Sequence, residues 1–129
     1  MTQVREVRFV VVSDDSEAAA RLYRDVFGLE VVMDLDGQGG RGVILRLPTA
    51  TLELVDGDHD AYVDELEVGT AQGNRLRIAV KVDELEAAGA EAGAAGAVAL
   101  AAPVATPWGD RNQRLVGPGG LQLTLWQAP

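Results

Sequence analysis

The sequence contains no cysteine and few aromatic residues. Without cysteine, the chain can form neither a disulfide bond nor a catalytic thiolate. Aromatic residues make up 5% of the chain, while hydrophobic residues make up 47%. The chain therefore has enough hydrophobic residues to form a buried core, and that core must consist mainly of valine, leucine and alanine. The length of 129 residues is typical of one domain.

Long apolar runs and basic residues are also scarce. No run approaches the ~18 residues of a membrane span, and no apolar segment of the signal-peptide kind stands near the start. We therefore expect no membrane contact and a cytoplasmic location. Eleven basic residues stand against 20 acidic ones, which gives a net charge of −9. This charge would repel phosphates, so we expect no nucleic-acid partner.

The chain does contain an internal repeat. Residues 7–12 (Val-Arg-Phe-Val-Val-Val) match residues 76–81 (Leu-Arg-Ile-Ala-Val-Lys) at an offset of 69 positions. The match extends to Asp14 with Asp83 and to 17–19 with 86–88. So long a period is not that of a solenoid, and it predicts two half-domains around an approximate two-fold axis. A cavity between such halves has paired residues on its two sides, and Arg8 and Arg77 are such a pair.

Both halves have the pattern β-α-β-β-β, judged from residue alternation, helix caps and turn residues. The first has strands at 5–12, 29–35, 42–47 and 51–55, and a helix at 16–26 with Ala19, Leu22, Tyr23 and Val26 on its apolar face. The second has strands at 75–82, 97–101, 112–116 and 121–126, and a helix at 83–94 capped by Asp83. We predict one domain, 1–129, with modules at 1–56 and 74–129. The linker, 57–73, is polar and weakly helical.

Strand alternation separates two sets of side chains. One set packs on the helices. The set that faces away from them comprises Arg8, Glu53, Arg77, Lys81, Gln122, Thr124 and Trp126. If the sheet curls, this second set lines a concave surface, which we call the cup, and a polar cup is a candidate binding site.

Three segments resemble the vicinal oxygen chelate superfamily, which includes glyoxalases, extradiol dioxygenases and bleomycin-resistance proteins. Residues 14–29, which end Leu-Tyr-Arg-Asp-Val-Phe-Gly-Leu, are similar to its helix signature. Residues 51–54, Thr-Leu-Glu-Leu, resemble the strand that ends its first module. Pro107-Trp108-Gly109-Asp110-Arg111 and the later Gly117-Pro118-Gly119-Gly120-Leu121 resemble the bleomycin-resistance-like branch.

This resemblance implies an α+β fold of two βαβββ modules. Their strands form a curved, barrel-like mixed sheet with helices on the outer face. It also implies a homodimer with pockets at or near the interface. Many activities occur on this fold, so the resemblance is weak evidence for any one of them.

Superfamily members with a metal place one ligand on each of four strands. By the resemblance, those positions here hold Arg8, Glu53, Arg77 and Thr124, of which only Glu53 can be a ligand. A divalent site needs several nitrogen or oxygen donors, whereas guanidinium groups stay protonated and repel cations. We therefore expect no metal and no cofactor.

The charged residues of the cup admit two interpretations. Arg8 and Arg77 clamp an anionic or carbonyl-bearing ligand, or they form an internal ion pair with Glu53. Glu53 is also a weak candidate for a general base, although neighbouring arginines would lower its pKa. Its role as a structural partner is the stronger expectation.

The remaining candidates are mainly aromatic. Trp108 either stacks on a planar ligand or fills the space beneath its loop, and Trp126 is expected near the cup or a subunit contact. Tyr62 in the linker borders the pocket, and Arg111 is a further ligand-binding candidate beside the Trp108 loop. His59, the only histidine, is expected to be a solvated surface residue.

The function that these observations favour is metal-independent binding of a small molecule. The protein would sequester an antibiotic or another natural product. The acidic charge would attract a cationic drug. The alternative is an enzyme, a glyoxalase-like lyase or isomerase acting in the same cup. A third possibility is an interaction module with no ligand.

Overall fold

The structure is a computed structural model that describes residues 1–26, 28–118 and 120–129, apart from the side chain of Leu22. Phe27 and Gly119, which belong to the motifs above, lie outside the described residues, as does the Leu22 side chain expected on the first helix. The strands are β1 (Val4–Val12), β2 (Val31–Asp34), β3 (Gly42–Arg46), β4 (Thr51–Val55), β5 (Leu76–Val82), β6 (Val98–Ala99), β7 (Val104–Ala105), β8 (Arg111–Val116) and β9 (Gln122–Gln127). The helices are α1 (Ser16–Ala20), continued by a π-helical segment (Arg21–Val26), α2 (Gly57–Glu67) and α3 (Leu85–Ala94).

The strands form one curved mixed sheet that does not close. Its order is β2-β3-β4-β1-β5-β9-β8-β6, and β7 pairs with β8. β1 runs parallel to β4 and antiparallel to β5, while β5 runs parallel to β9. This architecture confirms the predicted α+β fold with a curved mixed sheet.

The pairing of β1 with β5 follows the sequence repeat. Phe9 lies opposite Ile78, its own counterpart at the offset of 69. On either side, Arg8 lies opposite Ala79 and Val10 lies opposite Arg77. The repeat maps each of these two pairs onto the other, so the strand pairing has approximate two-fold symmetry. The boundaries of the two modules remain a prediction.

The two faces of the sheet divide as the alternation predicts. On the outer face, α1 packs on the cluster of Ala20, Val43, Leu45, Leu52 and Leu54. α3 contributes to a second outer cluster of Val82, Leu85, Ala88, Leu115 and Leu125. The cup holds a third cluster, which consists of Val10, Val12, Leu35, Ile44, Val55, Ala79 and Trp126. Burial of these apolar side chains is the main stabilising term of the fold.

Both predicted helices differ from expectation at one end. The first is α-helical only to Ala20. Its π-helical continuation changes the angular spacing of the side chains, so the prediction that Val26 lies on the apolar face is wrong, and Val26 is 71% exposed. The prediction that Asp83 caps the second helix is also wrong. Asp83 instead accepts a bidentate contact from Arg5, and α3 begins after Glu84 without a side-chain cap.

The largest difference concerns the predicted linker. Residues 57–67 are not weakly helical but form the regular helix α2. Asp56 caps it, because its Oδ1 accepts a hydrogen bond from the backbone N–H of His59 at 2.9 Å. Within the described ranges, no helix has the length and apolarity needed to cross a bilayer.

Candidate functional site

The cup encloses a cavity of about 140 Å³ between the two halves of the sheet and α2. Its apolar lining consists of Val10, Met33, Leu35, Ile44, Val63 and Ala79. Its polar and aromatic lining consists of Arg8, Glu53, His59, Glu67, Arg77, Trp108, Asp110, Asn112, Thr124 and Trp126. Six of the eight ligand-binding candidates from the sequence are therefore brought together: Arg8, Glu53, Arg77, Trp108, Thr124 and Trp126.

The other two candidates do not line this cavity. Arg111 pairs with Glu86 of α3 on the outer side of the sheet. Tyr62 packs instead against the turn between β2 and β3, close to Gly39. Alternation explains the placement of Arg111, because its neighbour Asp110 has the inward position.

Arg8 lies within a polar cluster at the first of the four family positions. Its Nε donates to Thr51 Oγ1 at 3.0 Å and its Nη2 donates to Glu6 Oε2 at 3.0 Å. Its Nη1 lies 3.6 Å from Glu53 Oε1. The predicted ion pair between Arg8 and Glu53 is therefore present.

Arg77 has a different partner from the one predicted. Its Nη1 donates to Asp60 Oδ1 of α2 at 3.0 Å, and both side chains are buried. The expectation that Arg77 pairs with Glu53 is wrong. The segment predicted as a linker forms helix α2, which places Asp60 next to Arg77. Burial and the neighbouring Asp64 raise the pKa of Asp60, and they outweigh the attraction of Arg77.

A fully buried ion-pair network fixes the end of α2 to the sheet. Arg114 of β8 has no exposed surface. Its Nη1 lies 3.0 Å from Asp64 Oδ1, and its Nε donates to Glu67 Oε1 at 2.8 Å. Glu67 also accepts hydrogen bonds from Thr124 Oγ1 and Asn112 Nδ2. Sequence reasoning missed this network. The signal was the spacing of Asp60, Asp64 and Glu67, which places three carboxylates on one helical face.

The start of α2 is fixed to the opposite half of the sheet. The ring nitrogen Nδ1 of His59 contacts the backbone oxygen of Gln38 in the β2–β3 turn. Only 1% of His59 is exposed, so the prediction of a solvated histidine is wrong. Its ring stands 6.3 Å from that of Trp108 and 6.4 Å from that of Tyr62. α2 thus spans the cup from the β2–β3 turn to β8.

Trp126 lies on the floor of the cup, as predicted, and is 7% exposed. Two cations stand near its ring. The guanidinium carbon of Arg8 is 4.8 Å from the ring centroid, and the ammonium of Lys81 is 5.0 Å from it. These contacts are within the range of cation–π attraction and hold the indole in place.

Asp110 is a lining residue that the sequence analysis did not select. Burial raises the pKa of its carboxyl, while Arg8 and Lys81 act in the opposite direction and Glu6 adds to the rise. Asp110 belongs to the Pro107-Trp108-Gly109-Asp110-Arg111 motif identified from the sequence. Extending the alternation of β8 back by one residue could have shown that Asp110, not Arg111, faces the cup.

Three residues that line the cavity each have a buried polar atom without a hydrogen-bond partner in the described residues. These atoms are Nε of Arg77, Oδ1 of Asn112 and Nε1 of Trp126. Buried polar groups normally have partners. A polar molecule in the cavity would lie beside the three side chains that carry these atoms.

The donor set does not fit a divalent metal. Arg8, Glu53, Arg77 and Thr124 converge on the cavity as the resemblance implies, yet two are guanidinium groups and the one carboxylate stands beside Arg8. Across the described residues, no cluster of three or more histidine, aspartate or glutamate side chains has the geometry to hold a metal ion. The side chains that line the cavity can bind a molecule by hydrogen bonds, charge and aromatic contact.

Comparison with known proteins agrees with this fold. Residues 8–126 match the family model of the glyoxalase-like domain. A hypothetical protein from Bacillus halodurans has a similar structure, with a TM-score of 0.69 and 16% identity over 99% of this chain and 95% of that one. A glyoxalase/bleomycin resistance protein/dioxygenase superfamily member from Vibrio splendidus gives 0.64 and 15% over 97% and 99%. Streptomyces coelicolor methylmalonyl-CoA epimerase gives 0.66 and 21% over 99% and 98%. At such identities the likeness shows the fold alone, and no curated protein matches the sequence significantly.

Proposed function

Because this chain belongs to the glyoxalase-like domain family, we propose that it is a metal-independent binding protein for a small molecule held in the cup. The observation that carries the proposal is the set of unpartnered buried atoms around one cavity, on Arg77, Asn112 and Trp126. An unpaired buried donor or acceptor costs ~1–3 kcal/mol. A ligand that bonds to these atoms recovers that free energy.

The size of the cavity limits the ligand. A volume of about 140 Å³ is below the ~300–1,000 Å³ of drug-sized pockets. A small natural product, or one ring system of a larger antibiotic, matches this volume. Sequestration of such a compound, as in the resistance-like branch of the superfamily, is the role we propose for the binding.

Tryptophan fluorescence tests the proposal, since both tryptophans line the cavity. We expect compounds from a natural-product library to quench the fluorescence of the wild type and to raise its melting temperature. Ala79→Leu fills the floor of the cup and should abolish both effects. Ala87→Leu adds the same side chain on the exposed face of α3 and should leave both unchanged. Equal responses of the two variants would contradict binding in the cup.

The alternative function is an isomerase or lyase in the same cup. A structural neighbour, methylmalonyl-CoA epimerase, is an enzyme. Glu53, the candidate base from the sequence, would be a poor base here, because its Oε1 stands 3.6 Å from a guanidinium nitrogen of Arg8. Asp110 is the better candidate, since its pKa is raised by burial. Turnover lost in Asp110→Asn but kept in Glu53→Gln would favour this enzyme.

The proposal includes a homodimer, as the resemblance implies. The edge strand β2 supports it. Its residues Val31, Val32 and Met33 are each 40% exposed or more, and an apolar sheet edge of this kind favours pairing with another chain. Met33 also lines the cavity, so a second subunit at this edge would close the cup.

A further inference from the structure

We propose that the ligand of the cup carries a planar cationic group, such as an amidinium or guanidinium, and that the carboxylate of Asp110 is its counter-charge. This inference rests on the proposed function and specifies the chemical class of the ligand. It assigns the recognition of that class to a residue outside the four positions that the superfamily uses for metal.

The first argument is the charge balance in and around the cup. The carboxylates there are those of Glu6, Glu53, Asp60, Asp64, Glu67 and Asp110, and the cations are those of Arg8, Arg77, Lys81 and Arg114. Negative groups therefore outnumber positive ones. A cationic ligand reduces this imbalance, whereas an anionic ligand increases it.

The second argument is that the arginines already have partners. Arg8 contacts Glu6 and Glu53, and Arg77 contacts Asp60. An anion would have to compete with these internal carboxylates for each guanidinium. This arrangement opposes the interpretation in which Arg8 and Arg77 clamp an anionic ligand.

The third argument is the position of Asp110 itself. Its side chain lines the cavity, and within residues 1–26, 28–118 and 120–129 no hydrogen bond or ion pair to its carboxylate is found. The backbone around it is fixed, because its carbonyl oxygen accepts hydrogen bonds from N and Oγ1 of Thr106 at 2.8 and 3.0 Å. Asp110 thus presents a carboxylate with unused acceptor capacity from a backbone position that hydrogen bonds hold in place.

The fourth argument concerns shape. Trp108 precedes Asp110 by two residues on the same loop and lines the same cavity, whereas the ring of Trp126 already has Arg8 and Lys81 near it. Aromatic faces attract cations, and flat groups stack well on them. Trp126 Nε1 and Arg77 Nε are buried and unpartnered, so the flat group should also carry an acceptor within the same molecule.

Three probes of nearly the same shape but different charge test this inference. Benzamidinium is cationic, benzamide is neutral and benzoate is anionic. We expect tryptophan quenching to show benzamidinium bound at least about tenfold more tightly than either of the others. Raising the salt concentration should weaken the binding of benzamidinium more than that of benzamide, because salt screens the attraction between charges.

Two variants assign the effect to one carboxylate. Asp110→Asn keeps the shape of the side chain but removes its charge. It should lower the affinity for benzamidinium about tenfold and have little effect on the affinity for benzamide. The control, Asp14→Asn, removes the same charge from a side chain that is 91% exposed and should change neither affinity. Asp110→Glu should restore part of the preference.

Several results would overturn the inference. Benzamide or benzoate binding in the cup as tightly as benzamidinium would refute it while the proposed function survives. The same holds if Asp110→Asn and Asp14→Asn behave alike. If none of the three probes binds while library compounds quench the wild type and not Ala79→Leu, the cationic class is wrong and the binding function stands. If the library also fails, the proposed function itself is wrong.

Discussion

Nε of Arg114 donates a hydrogen bond to Oε1 of Glu67 at 2.8 Å, between two side chains that are almost completely excluded from solvent. The contact joins β8 to the last turn of α2. Because an isolated buried charge is costly, each of these groups requires the other. The helix between the two halves of the sheet is therefore an integral part of the fold and one wall of the cavity.

Neutralising Glu67 should destabilise the protein strongly. Glu67→Gln leaves Asp64 as the one carboxylate partner of Arg114 among those described, and it places an amide N–H₂ where the donors of Arg114, Thr124 or Asn112 need an acceptor. We expect a loss of about 3 kcal/mol in the free energy of unfolding, measured by urea denaturation. Glu65→Gln on the exposed face of the same helix should cost less than about 0.5 kcal/mol. Similar losses for the two variants would show that the network contributes little.

Gly39 in the β2–β3 turn should tolerate alanine less well than Gly37 does. Both have positive φ, 78° and 88°, so both substitutions introduce backbone strain of ~1–2 kcal/mol. A Cβ on Gly39 would lie 2.3 Å from Cγ of Tyr62, whereas one on Gly37 meets nothing within 4 Å. We expect Gly39→Ala to cost about 2 kcal/mol more than Gly37→Ala.

The contact with Tyr62 can be isolated by a double-mutant cycle. In a Tyr62→Gly background, which removes both Cβ and Cγ of residue 62, the extra cost of Gly39→Ala over Gly37→Ala should largely disappear. Persistence of the full difference without the Tyr62 side chain would mean that α2 does not rest on this turn.

The carboxyl of Asp110 should titrate above the ordinary aspartate range, because burial raises its pKa. Lys81→Met should raise that pKa further and Glu6→Gln should lower it, since the ammonium and the Glu6 carboxylate act in opposite directions while Arg8 lowers it. An NMR pH titration of the Asp110 carboxyl carbon measures this pKa in the wild type and in both variants. A lower value in Lys81→Met than in the wild type would contradict this electrostatic account.

The sign of the resulting pH dependence follows from the raised pKa of Asp110. The folded state binds this proton more tightly than the unfolded state does. The contribution of Asp110 to stability is therefore complete below the unfolded pKa and is lost as the pH rises through the folded one. Binding of benzamidinium has the opposite sign. It needs the ionised carboxylate, so its affinity should fall as the pH drops through the raised pKa.

The exposed edge of β2 should mediate self-association. Val32→Lys places a charge in the middle of the edge, where 40% of Val32 is exposed. We expect light scattering to give a dimer for the wild type and a monomer for this variant. Val98→Lys, on the opposite edge strand β6, is the matched control and should remain dimeric. A monomeric wild type would refute the dimer.

Strand alternation and the repeat predicted most of the sheet. The offset that relates Arg8 to Arg77 predicted an approximate two-fold axis, and in the structure the pairing of β1 with β5 is symmetric about Phe9 and Ile78. The positions of Glu53 and Trp126 in the cup followed from alternation alone. These predictions rest on period-two burial, which a single sequence displays directly.

α2 could not be predicted in the same way. Its buried residues include Asp60, Asp64 and Glu67, whose partners stand far away in sequence on β5, β8 and β9. A hydrophobicity pattern records such a face as solvent-exposed, because it carries no information about ion pairs made across the fold. His59 was misjudged for the same reason.

The most direct test of the account is native mass spectrometry of the protein after equilibration with a metabolite extract that contains divalent metals. We predict one small organic molecule per chain in the wild type and none in Ala79→Leu, because the cup accepts ligands and its guanidinium groups oppose a metal. One divalent ion per chain in the wild type, lost in Glu53→Gln, would contradict the account. So would identical spectra for the wild type and Ala79→Leu.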